Sequence, residues 1–181
     1  MKKNVIVFGL ISGLIITGMM VYSVNLCYHS EDFKGNDIAG YAAMIVAFSF
    51  IFVGIRNYRN KYLNGIISFG KAFKTGLYIT LVASTIYVLV WLVYYYGFIP
   101  DFMDKYTDYV LRNAESDGAN PTELAKKTEE MAKFKDLYKN PVMVVLITYS
   151  EVFPLGLVIS LISALLLKRK AHSVNVDSVT V

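Results

Sequence analysis

Glu151 is the residue in this chain most capable of unusual chemistry. It stands alone in the 27 residues Pro141–Leu167, which carry no other charge. A carboxyl in so long an apolar segment must face protein or water, or take up a proton, because burial disfavours its charged form. Pro154 follows in the same segment and cannot donate to the carbonyl of Ser150, so a kink and a released acceptor are predicted beside the acid. Tyr149, Ser150, Thr17, Ser84 and Thr85 are the polar side chains at matching depth. Such an acid can bind a proton or cation in a transport path, or it can act as a buried structural carboxyl that ties helices together. Asp101, Asp104 and Asp108 share one helical face and could hold a divalent cation, although a solvated acidic face is the commoner outcome. His29 and His172 are lone and fall on opposite sides of the membrane in the topology derived below, which excludes a joint metal site. Cys27 is the only cysteine, so there is no internal disulfide and no multi-cysteine metal site. No His-Glu-x-x-His, Gly-x-Ser-x-Gly or phosphate-loop pattern occurs. The sequence therefore predicts no catalytic residue, no metal, no cofactor and no enzymatic activity.

The elements that position Glu151 follow from the distribution of charge. The 181 residues are 55% hydrophobic and only 18% charged, and the apolar residues fall in runs. Val5–Val24 is 20 residues without a charge, Ile38–Ile55 is 18 and Thr75–Gly97 is 23. Pro141–Leu167 makes the fourth. About 20 apolar residues span the hydrocarbon of a bilayer, so an all-α membrane protein with four crossings is predicted, at about 4–25, 38–55, 75–97 and 142–167. Glu151 then lies about 14 Å into the last crossing. A central acid costs about 2.5–3.5 kcal/mol on insertion scales. The 16 Val, Ile, Leu and Phe residues of the segment outweigh that cost.

The basic residues set the orientation. Lys2 and Lys3 precede the first run, Arg56, Arg59, Lys61, Lys71 and Lys74 lie between the second and third, and Lys168, Arg169 and Lys170 follow the fourth. No acid occurs in those three stretches. Bases are retained on the cytoplasmic side, which predicts both termini inside (N-in, C-in). The net charge of +4 is thus a topology signal and not a nucleic-acid signature. The first run exceeds the apolar region of about 7–15 residues in a signal peptide, and Leu26 before Cys27 is too large for lipoprotein cleavage, so the run is read as a retained crossing.

Between the second and third crossings, Asn64-Gly65 signals a turn. Ile66, Phe69, Phe73 and Leu77 then recur at helical spacing, predicting an interfacial helix. Trp91, Tyr94, Tyr95 and Tyr96 read as an aromatic belt at the opposite membrane surface. The sizeable polar segment is 98–140. Phe102, Met103, Tyr106, Tyr109 and Val110 form one helical face there, Asp117-Gly118 breaks it, and Asn120-Pro121-Thr122-Glu123 opens a second helix with a capping box. An external amphipathic helical hairpin is predicted. Asn36 or Asp37 is the expected cap of the second crossing, and residues 171–181 form a cytoplasmic tail expected to be disordered.

Every crossing carries small residues four apart: Gly9, Gly13 and Thr17; Ala39, Ala43 and Ala47; Gly76, Thr80 and Ser84; and Gly156, Ser160 and Ala164. Helices in lipid associate by close backbone approach, which small residues permit. The stripes predict a compact four-helix bundle in residues 1–170, or self-association into a homo-oligomer.

The stretch Ser150-Glu151-Val152-Phe153-Pro154-Leu155-Gly156-Leu157 through Leu161-Ile162-Ser163-Ala164 is similar to the closing motif of domain-of-unknown-function family 4199. Gly54-Ile55-Arg56-Asn57-Tyr58-Arg59 and Ile67-Ser68-Phe69-Gly70-Lys71-Ala72-Phe73-Lys74-Thr75-Gly76 resemble its middle section. The resemblance implies a small bacterial membrane protein, of the Bacteroidetes type, with four crossings and no assigned activity. It also sets Glu151, Pro154 and Gly156 on a family motif, as a constrained intramembrane site. Together these readings predict a multi-pass protein of the bacterial inner membrane. Its partners would be the lipid bilayer and a membrane or periplasmic protein met through the hairpin. The alternative is a small proton- or ion-coupled transporter using Glu151.

Overall fold

The computed structural model describes residues 1–30, Phe33 and 37–169, with the side chains of Asp37 and Ala39 outside that description. The expected cap at Asn36 or Asp37, the tail and His172 therefore lie outside the described residues, as does the side chain of Ala39 in the second stripe. Six helices follow one another: α1 (Lys2–His29), α2 (Asp37–Tyr62), α3 (Phe69–Phe98), α4 (Phe102–Ser116), α5 (Pro121–Tyr138) and α6 (Pro141–Leu167). Among the described residues there is no strand, only an isolated antiparallel bridge between Ile67 and Arg169. By length and composition Lys2–His29, Gly40–Tyr62, Phe69–Phe98 and Pro141–Leu167 can each cross a membrane. The chain is a multi-pass membrane protein.

Close contacts give the direction of each helix. A Cβ built on Gly9 would come within 2.6 Å of Val82, and one on Gly13 within 2.7 Å of Ile86, so α1 and α3 run parallel. Gly76 faces Ser160 and Gly156 faces Thr80, so α6 runs against α3. The Asn4 side chain near the start of α1 donates to the Gly54 carbonyl late in α2 at 2.9 Å, and Met20 of α1 lines one cavity with Gly40 and Met44 of α2, so α2 runs against α1. The start of α1, the α2–α3 connection and the end of α6 consequently share one end of the bundle, here the terminal end. The α4–α5 pair stands at the other, the hairpin end.

The small residues of the stripes sit where these helices touch. Ala47, Thr80, Ser84, Ser160 and Ala164 are fully buried, and Gly9, Gly13, Thr17, Ala43, Gly76 and Gly156 are buried with them. In one layer the Thr80 and Ser160 hydroxyls lie 3.0 Å apart, and Ser160 Oγ donates to the Gly156 carbonyl at 2.8 Å. A hydroxyl has one proton, so Thr80 is the donor of that pair. The outer faces are the inverse of a soluble protein: Leu14, Ile45, Leu89 and Leu166 are 66%, 54%, 56% and 70% exposed. A bilayer covers such faces at no cost, whereas water would not.

The helix of the second crossing, expected to end near Ile55, continues to Tyr62. Arg56, Arg59 and Lys61 are good helix formers, and nothing interrupts the turn until Asn64 and Gly65, which adopt φ of 49° and 82°. The predicted helix feeding the third crossing forms the first turns of α3. Ser68 caps α3 by accepting from the Lys71 N–H, and the helix then runs unbroken from Phe69 into the crossing. α6 is helical throughout, Pro154 included.

The hairpin follows its caps. Gly118 takes φ of 82° at the break. Asn120 and Glu123 form the reciprocal capping box, with N···O distances of 2.9 and 3.0 Å. Pro141 opens α6, and Asn140 caps it by accepting from the Val142 N–H at 3.0 Å.

Candidate functional site

On α6 the residues Val144, Thr148, Val152, Gly156 and Ser160 form the stripe that turns into the bundle. Glu151 precedes Val152, so it sits on the edge of that stripe. It is exposed with respect to the protein and faces a chamber of about 550 Å³ at the hairpin end. The carboxyl expected to be buried is thus exposed at its position on α6 and lines the chamber. α1, α2, α3 and α6 form the walls of the chamber, and the deepest lining residue of each is Met19, Met44, Tyr87 and Glu151 respectively. Below them the helices close on each other, with Ala47, Phe48, Ala83 and Val152 wholly inaccessible.

The hairpin forms the roof. Phe102 packs edge-on against Trp91 with centroids 5.4 Å apart, and Tyr138 against Tyr95 at 5.5 Å. Phe134 lies 4.9 Å from Tyr138, and the Tyr96 hydroxyl donates to the Tyr138 carbonyl at 3.1 Å. Phe33 joins the same cluster 5.3 Å from Phe102. Trp91 and Tyr95 are one helical turn apart and both buried, so they dock the hairpin, in place of the membrane-surface belt that composition suggested. Tyr96 remains in keeping with a belt, being 44% exposed.

The lining is aromatic and thioether-rich. Among the described lining residues Glu151 carries the only charge. Tyr87 and Tyr138 line the chamber with Glu151. At Tyr138 burial, and then the charge of Glu151, push the phenol well above its ordinary range. Sequence reasoning missed both tyrosines as neighbours of Glu151. The polar side chains expected there are placed elsewhere. Thr85 Oγ1 lies 2.6 Å from the Tyr149 hydroxyl on an exposed face, Ser150 Oγ bonds back to the Ile147 carbonyl, and the hydroxyls of Thr17 and Ser84 are buried without a hydrogen-bond partner. The released acceptor predicted at Ser150 belongs to the lipid side of α6, where Ser150 and Pro154 are exposed.

The acidic face of α4 is a set of ties. Asp101 accepts from the Tyr28 hydroxyl and lies 3.6 Å from Lys105 Nζ, and Asp104 pairs with Lys135 of α5. The Tyr28 bond holds the Asp101 carboxyl below the usual carboxylate range, and the Asp104 carboxylate raises the Lys135 amine. Among the described residues no group of three His, Cys, Asp or Glu could hold a metal ion. His29 Nδ1 is 2.9 Å from the Asn25 carbonyl, and Cys27 Sγ donates to the Phe33 carbonyl at 3.2 Å.

No curated protein and no solved structure matches the chain. One family model does match, over residues 6–169, and those residues hold all three stretches that carried the resemblance. The chain belongs to the family described as protein of unknown function (DUF4199).

Proposed function

We propose that this is a protein of the bacterial inner membrane, with both termini in the cytoplasm. In this reading it acts as an accessory or interaction protein, meeting a membrane or periplasmic partner through the α4–α5 hairpin. The orientation draws on charge. Lys2, Lys3, Arg56, Arg59, Lys61, Lys71, Lys74, Lys168 and Arg169 share the terminal end of the bundle, and bases are retained on the cytoplasmic side.

The observation that carries the interaction reading is the exposure of α5. Of its 18 residues only Tyr138 is buried among the described residues. The helix is nonetheless capped, tied to α4 by Lys135 and Asp104, and anchored on Tyr95. Its outward face carries the pairs Lys126–Glu130 at 3.9 Å and Glu129–Lys133 at 2.6 Å. Exposed pairs of this kind add little stability, so the face is available to a partner of complementary charge. Among the described residues Gly9, Gly13, Gly76 and Gly156 meet neighbouring helices of the same chain, so self-association through them would compete with those contacts. A mild-detergent pull-down of the native protein tests the reading, run beside a variant with Lys126, Glu130 and Lys133 reversed in charge. A stoichiometric partner lost from the variant supports it. Recovery of the protein alone from both overturns it.

The transport alternative draws on the depth of the chamber at Glu151. The closed layer beneath means that flux would need a second arrangement of the helices. Proton flux into liposomes that falls in Glu151→Gln supports this alternative. Equal flux in both variants, or none in the wild type, removes it.

A further inference from the structure

We propose that the chamber at the hairpin end binds an uncharged, lipid-soluble ring compound bearing carbonyl oxygens, of the ketone or quinone class, held by the hydroxyls of Tyr87 and Tyr138 and the indole N–H of Trp91. Tyr87, Trp91 and Tyr138 line the chamber and are only 7%, 7% and 8% exposed. Phenol and indole groups buried to that degree ordinarily donate to a partner. Among the described residues, these two hydroxyls and the N–H make no hydrogen bond. They are not sealed in, unlike the hydroxyls of Ser12, Thr17 and Ser84, so they open on the chamber. The indole can only donate and the phenols donate readily, so the ligand must bring acceptor oxygens. The rest of the lining shapes its body. Trp91 and Phe102 offer ring faces, and Met20, Met44 and Met103 offer adaptable thioethers, which suit a flat apolar ring. The volume of about 550 Å³ lies within the ordinary range for small-molecule sites. No charge is asked of the ligand. Glu151 already has an interaction of its own. No described lining residue is cationic, so an anion would find no counter-charge among them. Met19 and Tyr41 line the chamber from α1 and α2 and are exposed, so a molecule dissolved in the bilayer reaches it from that side.

The test compares two probes of one shape. The full chain in nanodiscs is dialysed against empty nanodiscs with anthraquinone, or with anthracene, the same ring system without carbonyls. The expected result is saturable retention of anthraquinone by the protein, with anthracene held about tenfold or more weakly for want of acceptors. Tyr87→Phe combined with Tyr138→Phe keeps both rings and removes both hydroxyls. It should weaken anthraquinone by about tenfold and leave anthracene unchanged. Gly40→Leu should lose both probes, because Gly40 lines the chamber with nothing within 4 Å of a built Cβ, so the added side chain fills it and leaves the three donors in place. Should the double variant fail to fold, the anthracene comparison and Gly40→Leu decide. No saturable retention by the wild type, equal retention of the two probes, or undiminished binding of anthraquinone in the folded variants overturns the proposal.

Discussion

Gly156→Ala should destabilise the bundle by an amount that Thr80 controls. A Cβ at position 156 would meet Thr80 Cγ2 well inside van der Waals distance, Thr80 Oγ1 at 3.0 Å and a Phe48 ring carbon at 3.2 Å. Carbon pairs favour about 3.5–4.0 Å. Thr80 is β-branched and stiff, and turning it away would break its bond to Ser160. Phe48 is wholly buried and has nowhere to move. Overpacking of this kind costs about 1–3 kcal/mol. A lost interhelical hydrogen bond adds about 0.6 kcal/mol in a membrane, and the better helix propensity of alanine returns up to about 1 kcal/mol. The net expectation is a loss of about 1–2 kcal/mol. Thr80→Ala removes both clashing atoms, so Gly156→Ala in that background should cost little or be neutral. The assay is reversible unfolding in mixed micelles of mild and denaturing detergent, read as a double-mutant cycle. Unchanged stability in Gly156→Ala, or an equal loss in both backgrounds, would refute the claim that this layer is closed by direct Gly–Thr contact.

Other consequences can be checked separately. Gly13→Leu should abolish folding of the single chain and leave the mass of any folded fraction in mild detergent unchanged, because the added side chain strikes Ile86 of the same chain; a size change with the fold intact would return the stripe to a role in self-association. Arg59→Ala should speed hydrogen exchange at the end of α6, since Arg59 Nη1 donates to the Leu167 carbonyl at 3.2 Å and completes that helix terminus; unchanged exchange there would make the contact incidental. Acid should loosen α4 from α1. The folded pKa of Asp101 is depressed, so its contribution is present above the unfolded value near about pH 4 and is lost as pH falls through the folded value. Hydrogen exchange at residues 99–106 should rise in that window, and Asp101→Asn should remove the pH dependence.

The crossings are legible in the sequence because a long uncharged run has one physical use, and the hairpin because Asn120, Pro121 and Glu123 can be satisfied together only at a helix start. The extent of α2 is less legible. Lysine and arginine at a helix end look the same whether they continue the helix or leave it. The chamber is hidden for a related reason. An aromatic run near a membrane surface suits a lipid belt and a docking site equally, and only the roof of Phe102 and Tyr138 distinguishes them. Glu151 was visible by its isolation. Its position on the edge of the α6 stripe was legible too, since Gly156, Ser160 and Ala164 extended back by four reach Val152, one residue from the acid.

The central claim is that the hairpin stands outside the cytoplasm, over a chamber that opens away from the terminal end. It is tested most directly by labelling single cysteines in a Cys27→Ser background with a membrane-impermeant maleimide. Ser116→Cys lies on the exposed tip of the hairpin and Asn60→Cys near the exposed end of α2. In intact spheroplasts the account predicts labelling at position 116 and protection at position 60 until the cells are lysed. Labelling at 60 with protection at 116 would contradict it, and would remove both the periplasmic partner and the outward-facing chamber.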